Sequence, residues 1–347
     1  MDRRGFLISG GAAAVVSGAT PHTSPARIAS SSEAAGWGEA EGSGARRLTL
    51  AAAPAYDLAG FGADRLAQHI GLATGGRVRV ERIGPAAAAD LRLTDARWLA
   101  TLHPAFAFFA GLPLGQGLAS AELDSWLLLG GGQQLWDELA RPFGWKPLVA
   151  GHTGEGVGLW SNVRLEAASD LVGLPVAATG LAARVLETMG AEVIDVAPPD
   201  LGWALTRARV SAGEAVGPLP GSAFALEPLA PCCYRPGLYP HGAVTVLLVA
   251  STLWEALDAA DQAIIEAGAA AEYRLALAEA NMAAAIAGHK RGAAKWPVRT
   301  SLPRPLADAL AEVATAVVDE VAGFDAASRR IAASYRAYRS FSGDRLV

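Results

Sequence analysis

Residues 106–115 read FAFFAGLPLG, an apolar run that ends in a turn rich in Gly and Pro. Two predicted helices follow, 121–129 and 133–140, and the triplet Gly130-Gly131-Gly132 separates them. Glycine is a poor helix former, so the triplet marks a break between two elements. This order of apolar run, turn, helix, glycine break and helix is the most distinctive pattern of the chain.

The segments before this stretch predict an α/β unit. A strand candidate at 47–52 is followed by a helix at 63–74, which Gly75-Gly76 ends. Residues 77–83 alternate apolar and charged side chains, which is typical of a half-buried strand. A strand, a helix and a second strand in succession indicate an α/β fold.

The segments after it continue this alternation and then become helical. Strands are predicted at 145–150, 159–162, 192–196 and 243–250, and a helix at 180–189. Beyond residue 253 the chain is rich in Ala and predicts three long helices, at 255–288, 305–321 and 325–339. We therefore predict an α/β protein of two lobes with Ala-rich C-terminal helices.

The composition excludes several classes of function. The 347 residues are 52% hydrophobic and carry a formal charge of −5, so a sizeable core is expected and nucleic acid is not an expected partner. The most apolar later run, 243–253, is too short for a bilayer span, and we expect no stable membrane insertion. The six histidines are dispersed, with no motif for a tetrahedral metal site. Cys232 and Cys233 are adjacent, where a disulfide is strained, so we expect two buried thiols.

The N-terminus has the features of an export signal. Arg3 and Arg4 precede a short apolar run at 6–16 and a small-residue exit at 17–19. The paired arginines followed by Gly-Phe-Leu predict a twin-arginine signal peptide over residues 1–19, which directs the chain to the periplasm. Residues 20–45 are rich in Ser, Ala and Gly and predict a flexible spacer.

A series of motifs in the mature chain resembles the solute-binding subunits of tripartite ATP-independent periplasmic (TRAP) transporters, the DctP type. In chain order the motifs are the run at 106–115, Trp126 with the glycine triplet and the Leu-Trp pair at 135–136, Gly151-His152-Thr153-Gly154, Asp170-Leu171-Val172-Gly173-Leu174, Glu214-Ala215-Val216-Gly217-Pro218 and Tyr234-Arg235-Pro236-Gly237. Each motif alone is weak, but their order and spacing are specific. The chain is most similar to the branch associated with 2-oxo acids and related small carboxylates.

The resemblance implies a periplasmic-binding-protein-like fold, in which two lobes joined by hinge strands close around a small anion. It divides the folded part, residues 46–347, into three pieces. Lobe I covers about 46–145 and 240–285, lobe II covers about 146–235, and the C-terminal helices 286–347 pack across both. Residues 85–99 are shorter than the corresponding family segment, and a helix-sized piece is missing there.

The resemblance also implies where the ligand binds, and this chain departs from the family at the main anion-binding position. Family members pair the ligand carboxylate with an arginine, whose planar guanidinium contacts both oxygens. The aligned position here is Ala177, and Arg184 lies too far along the predicted helix and is expected at the surface. Because this chain lacks such a buried arginine, we expect its affinity for a pyruvate-like acid to be lower by about a hundredfold or more.

The same branch holds a cation between protein and ligand, and oxygen donors suit Na⁺ or Ca²⁺. The corresponding donors here are the Glu214 carboxylate and the Ala215 carbonyl, whereas the family's glutamine aligns with Gly156. Glu155 is adjacent and is either a further ligand or a solvent-exposed loop carboxylate. Tyr239, in the turn after Pro236, either directs its hydroxyl at the ligand or packs as an anchor.

The sequence thus predicts an extracytoplasmic solute-binding subunit that captures a small organic acid and works with TRAP membrane subunits. The alternative is a divergent paralogue without carboxylate binding that acts as a sensor or scaffold subunit. An enzyme is not expected, because Ser161 and Ser211 lie in no Gly-x-Ser-x-Gly motif and no nucleophile and base stand at a recognisable spacing.

Overall fold

Two β-sheets form the framework of the molecule. The computed structural model describes residues 45–52, 62–156, 158–197, 200–214, 226, 229–291 and 298–343. The predicted signal peptide, nearly all of the predicted spacer and the candidate ligand Ala215 lie outside these residues. Among the described helices, none combines the length and the hydropathy that a membrane span requires.

The first sheet contains the longer strands. They are β1 (Arg46–Ala52), β2 (Val78–Ile83), β3 (Leu91–Asp95), β4 (Trp145–His152) and β10 (Val244–Ala250). Their order is β2-β1-β3-β10-β4, with β1 parallel to β2 and β3, and β10 antiparallel to β3 and β4. All seven residues of β10 are buried, as its continuous run of apolar residues requires.

The second sheet contains short strands. They are β5 (Leu159–Ser161), β6 (Pro175–Ala177), β7 (Glu192–Ile194), β8 (Ala212–Glu214), β9 (Cys232–Arg235) and β11 (Val298–Ser301), in the order β11-β9-β5-β8-β6-β7. β6 is parallel to β7 and β8, so their carboxyl ends meet at one edge of the sheet. The thiol pair lies on β9 with Cys233 buried and Cys232 half-buried, both as thiols, so only one of the two is fully buried as expected.

Helices cover both sheets. They are α1 (Gly62–Ala73), α2 (Ala107–Ala110), α3 (Ser120–Leu129), α4 (Gly132–Ala140), α5 (Gly180–Thr188), α6 (Leu201–Thr206), α7 (Ser251–Ala256), α8 (Ala259–Arg291), α9 (Arg304–Gly323) and α10 (Ala326–Gly343), with short 3₁₀ helices at Ala96–Thr101, Pro104–Phe106, Arg141–Phe143 and Ala168–Leu171. α9 packs on α5 beside the second sheet, and α10 packs on α3 and α4 beside the first. The C-terminal helices therefore contact both lobes.

The aromatic residues around the glycine triplet form the centre of the first lobe. Phe109 stacks on Trp136 with ring centroids 5.0 Å apart and on Trp126 at 5.2 Å. A Cβ at Gly132 would lie 2.8 Å from the Trp126 indole, so only glycine lets the backbone approach this ring. The triplet thus separates α3 from α4 and also makes room for the aromatic core.

The predicted two-lobed α/β fold is confirmed, with differences at three borders. β4 stays in the first sheet to His152, so the chain leaves that sheet after residue 152 and not near 146. Residues 298–301 add a strand to the second sheet where we expected only helices. The helix predicted at 255–288 is divided, because Leu257 is extended and the Asp258 carboxylate accepts the Asp261 N–H at 2.8 Å to start a new helix.

Candidate functional site

A small cavity lies between the lobes at the carboxyl ends of β6 and β8. Its volume is about 20 Å³, which is enough for about one water molecule. Its described lining residues are Arg97, Ala177, Ala178, Thr179, Val196, Leu201, Glu214, Leu238 and Tyr239. Arg97 follows β3 of the first sheet, whereas the others belong to the second lobe or to the segment that leaves it. Both lobes therefore contribute to one cleft.

Glu214 is the acidic group of this cleft. As the last residue of β8, it projects from the strand end, where its carboxylate accepts the Tyr239 N–H at 3.0 Å and the Leu238 N–H at 3.1 Å. Burial raises the pKa of Glu214 to about 7, although both N–H groups and the positive charge of Arg97 act in the opposite direction. The predicted site residue Glu214 thus lies in the cleft and loses part of its hydration there.

Two glycines leave the space that the Glu214 carboxylate occupies. A Cβ at Gly156 would lie 2.4 Å from the Tyr239 carbonyl oxygen and 3.1 Å from Glu214 Oε1. A Cβ at Gly237, where φ is +89°, would lie 2.5 Å from the same Oε1. A glutamine at position 156 therefore does not fit this arrangement. Glu155 is exposed, and of the two neighbours Gly156 is the one whose backbone lies close to the Glu214 carboxylate.

Tyr239 lines the cavity and is anchored at its hydroxyl. The hydroxyl donates to the Thr179 carbonyl at 2.8 Å and accepts the Ala182 N–H at 3.2 Å, at the start of α5. Burial raises the pKa of Tyr239 to about 12, with the positive charge of Arg97 acting in the opposite direction. Of the two interpretations of Tyr239, this geometry corresponds to the packed anchor.

Arg97 is the site residue that the sequence analysis missed. It lies in the 3₁₀ helix Ala96–Thr101, whose N-cap residue Asp95 accepts the Arg97 backbone N–H at 2.8 Å. The guanidinium also binds the Asp95 carboxylate, through Nη2 at 2.5 Å and Nε at 3.0 Å, and both side chains are buried. The sequence did contain a signal for Arg97. An Asp-x-Arg pair lies between apolar residues, directly after a segment that alternates apolar and polar side chains.

Two positions were considered for the family arginine, and the structure places Ala177 in the cleft and Arg184 outside it. Ala177 ends β6 and lines the cavity, so the position aligned with the family arginine is in the cleft and carries no charge. Arg184 is partly exposed on α5 and pairs with Glu320 of α9 at 2.7 Å, as expected of a surface residue.

The described residues offer few ligands for the cation that the resemblance implies. No three His, Cys, Asp or Glu residues of the described part of the chain form a group that could hold a metal. Glu214 is the one carboxylate among the described lining residues, and both of its oxygens already accept N–H groups. The described side chains therefore do not hold a cation on their own, and a cation at this site would need oxygens from the ligand as well.

Comparison with known proteins supports the fold. No family model matches the chain. A TRAP transporter solute-binding protein of Bordetella bronchiseptica RB50, with copurified calcium and picolinate, is 22% identical with a TM-score of 0.78, over 87% of this chain and 94% of that one. A protein of Colwellia psychrerythraea with calcium and pyruvate is 21% identical with a TM-score of 0.79, over 87% of this chain and 98% of that one. A protein of Pseudoalteromonas atlantica T6c with sodium and pyruvate is 20% identical with a TM-score of 0.79, over 86% and 95%.

All three are described as TRAP solute-binding proteins, the class that the sequence motifs resemble. At this level of identity the likeness establishes a shared fold over nearly the whole length of each protein. The two-lobed architecture implied by the motifs is therefore confirmed from an independent direction.

Proposed function

We propose that the chain is the extracytoplasmic solute-binding subunit of a TRAP-type transporter and captures a small organic acid in the cleft between its lobes. The observation that carries the proposal is a cavity lined from both lobes, with a buried guanidinium and a carboxylate on its walls. The twin-arginine motif at Arg3 and Arg4 supports export to the periplasm, where the chain would meet the TRAP membrane subunits.

The size of the cavity limits the ligand and requires movement. A cavity of about 20 Å³ does not hold an organic acid of several heavy atoms, so a ligand enters when the lobes or the side chains on the walls move apart. Leu201 and Leu238, both buried, narrow the cleft. These dimensions favour a small acid over a large one.

The charges on the walls determine what the ligand must bring. Moving a carboxylate from water into this cleft is costly unless a cation and hydrogen bonds replace its hydration. Arg97 supplies positive charge, whereas Glu214 repels an anion once it is ionised. A hard cation between Glu214 and the ligand carboxylate would supply the remaining positive charge when bound, and Glu214 is the described residue that would hold it.

Calorimetry with acids and their uncharged amides tests the proposal. The purified full-length chain is titrated with pyruvate, lactate and picolinate, and with lactamide and picolinamide, each with and without Ca²⁺ or Na⁺. We expect the acids to bind at least about tenfold more tightly than the matched amides, because an interaction with a charged group is worth about 1.5–3 kcal/mol. Equal affinity for acid and amide, or no binding of any acid, would overturn the proposal.

A matched pair of variants tests the proposed role of Glu214. Glu214→Gln removes the charge in the cleft, and Glu155→Gln removes a charge on the exposed neighbour. We expect Ca²⁺ to strengthen acid binding to the parent chain and to Glu155→Gln, and to leave Glu214→Gln unaffected. The same calcium effect in both variants would remove Glu214 from the site.

A further inference from the structure

We propose that Arg97 binds the ligand carboxylate from the first lobe, in place of the arginine that the family resemblance puts at position 177 in the second lobe. This inference rests on the proposed function, because it assigns the residue that recognises the acid. Neither the sequence motifs nor the similar structures assign a role to Arg97. If the assignment holds, the affinity expected to be lost at Ala177 is supplied from the opposite wall of the cleft.

The first argument is the position of the charge. Arg97 is buried and lines the cavity, and it carries the one positive charge among the described lining residues. A buried guanidinium on the wall of a small cavity is a strong site for a carboxylate, since a planar fork of N–H donors matches two oxygens. The 3₁₀ helix after β3 holds the residue at the end of the first sheet.

The second argument is preorganisation. Asp95 binds the guanidinium through Nε and Nη2, so the plane of the fork is fixed before any ligand arrives. A side chain that is already ordered loses less conformational entropy on binding than a mobile one. Asp95 is therefore the positioning residue for Arg97, and its negative charge also weakens the net attraction of the pair for an anion.

The third argument is that Arg97 reaches the second lobe at the position where the family arginine is absent. Its guanidinium carbon lies 4.9 Å from the centre of the Tyr239 ring. A Cβ at Gly180, at the start of α5, would lie 3.5 Å from Arg97 Cβ. β6 ends at Ala177, three residues before Gly180, so Arg97 and Ala177 line the same small space. A cavity of about 20 Å³ has no room for a second guanidinium at position 177.

The consequence is a ligand held across the two lobes. A carboxylate bound to Arg97 is attached to the first lobe, while Glu214 would hold its cation from the second. Ligand binding and closure of the cleft are then one event, because the two halves of the site meet only when the lobes do.

The test uses variants that do not leave a lone buried charge. Arg97→Gln with Asp95→Asn removes both charges and keeps groups of similar shape, whereas removing Arg97 alone would strand the Asp95 carboxylate. Arg97→Lys keeps the charge and removes the fork, and Arg184→Gln is the surface control. Each folded variant is titrated by calorimetry with the tightest-binding acid of the panel and with its amide.

We expect the double variant to bind the acid at least about thirtyfold more weakly and Arg97→Lys about tenfold more weakly. Arg184→Gln should stay within about twofold of the parent. Affinity for the amide should change little in all three, which a merely structural role of Arg97 would not produce.

Two results overturn the inference in distinguishable ways. If the parent chain prefers acid to amide and the double variant keeps that preference, Arg97 is not the anion-binding residue and the proposed function stands. If the parent chain shows no preference, the proposed function falls and the assignment of Arg97 falls with it.

Discussion

The strands of the two sheets differ in length by about a factor of two. Strands of the first sheet have five to eight residues, and those of the second have three or four. Long paired strands fix their neighbours at many points, whereas a strand of three residues is fixed at few. Most of the cleft, including Ala177 and Glu214, lies at the ends of short strands, while Arg97 follows a longer one. We therefore expect the first sheet to form the rigid wall of the cleft and the second sheet the adaptable wall.

The sharpest test of this difference is a pair of matched leucine substitutions. Leu247 of β10 and Leu159 of β5 are both fully buried in internal strands. Truncation to Ala costs about 2–5 kcal/mol, and the cost depends on how far the surroundings can collapse into the space. We expect Leu247→Ala near the upper end of that range and Leu159→Ala near the lower end, measured by urea unfolding. Equal losses would contradict the assignment of rigidity to the first sheet.

The end of the first sheet should be sensitive to acid. His152 is the last residue of β4, is buried, and accepts the Gly154 N–H at 3.1 Å through Nδ1, which requires a neutral ring. Burial and the nearby His241 lower the pKa of His152 to about 4. The unfolded chain takes up a proton below about pH 6.5 and the folded chain only near pH 4, so stability falls as the pH drops through this window.

The loss due to His152 is on the order of 3 kcal/mol between pH 7 and pH 4. His152→Asn removes the titrating ring, and the difference between parent and variant unfolding free energies isolates its contribution from other groups. We expect that difference to change with pH by this amount and in this direction, measured by urea unfolding at a series of pH values. A constant difference across the window would show that His152 is hydrated in the folded chain.

A pair of glycine substitutions tests the wall of the cleft. A Cβ at Gly156 would lie 2.4 Å from the Tyr239 carbonyl oxygen, whereas a Cβ at Gly84 in the first lobe meets nothing within 4 Å. We expect Gly156→Ala to cost about 1–3 kcal/mol of stability and to weaken acid binding, because Glu214 has to move. Gly84→Ala should change stability by less than about 1 kcal/mol. If Gly156→Ala left both stability and acid binding unchanged, the wall would be even more adaptable than the short strands suggest.

The sequence predicted the longer elements because hydrophobic periodicity needs length to be visible. β1, β2, β4 and β10 were each expected near their observed positions, as were α1, α3, α4 and α5. The three-residue strands β5 and β7 were expected within the longer predictions at 159–162 and 192–196. β6 and β8, also of three residues, were not predicted, since three residues do not define a period of two. Residues 85–99 were read as a shortened segment, yet β3 and the 3₁₀ helix that carries Arg97 lie within residues 91–101.

The residues of the candidate site were predicted only in part. The motif resemblance named Glu214 and Ala177, which line the cavity. It also named Gly156, which lies close to the Glu214 carboxylate. Arg97 was missed because charged residues are usually at the surface. The sequence does not show that an ion pair with Asp95 offsets the free-energy cost of burying the guanidinium. Glu155 was left as either a further ligand or a solvent-exposed loop carboxylate, and its exposed position corresponds to the second interpretation.

The C-terminal helices have a mechanical consequence. α9 is tied to the second lobe by Arg184–Glu320, and α10 is tied to the first by the Trp126 indole N–H, which donates to Ser334 at 3.1 Å. Only Phe324 and Asp325 connect the two helices. If the lobes separate while these contacts hold, the angle between α9 and α10 has to widen with them. A pair of spin labels on the outer faces of these helices would thus measure the opening angle of the cleft from the back of the molecule, with every ligand-binding residue left intact.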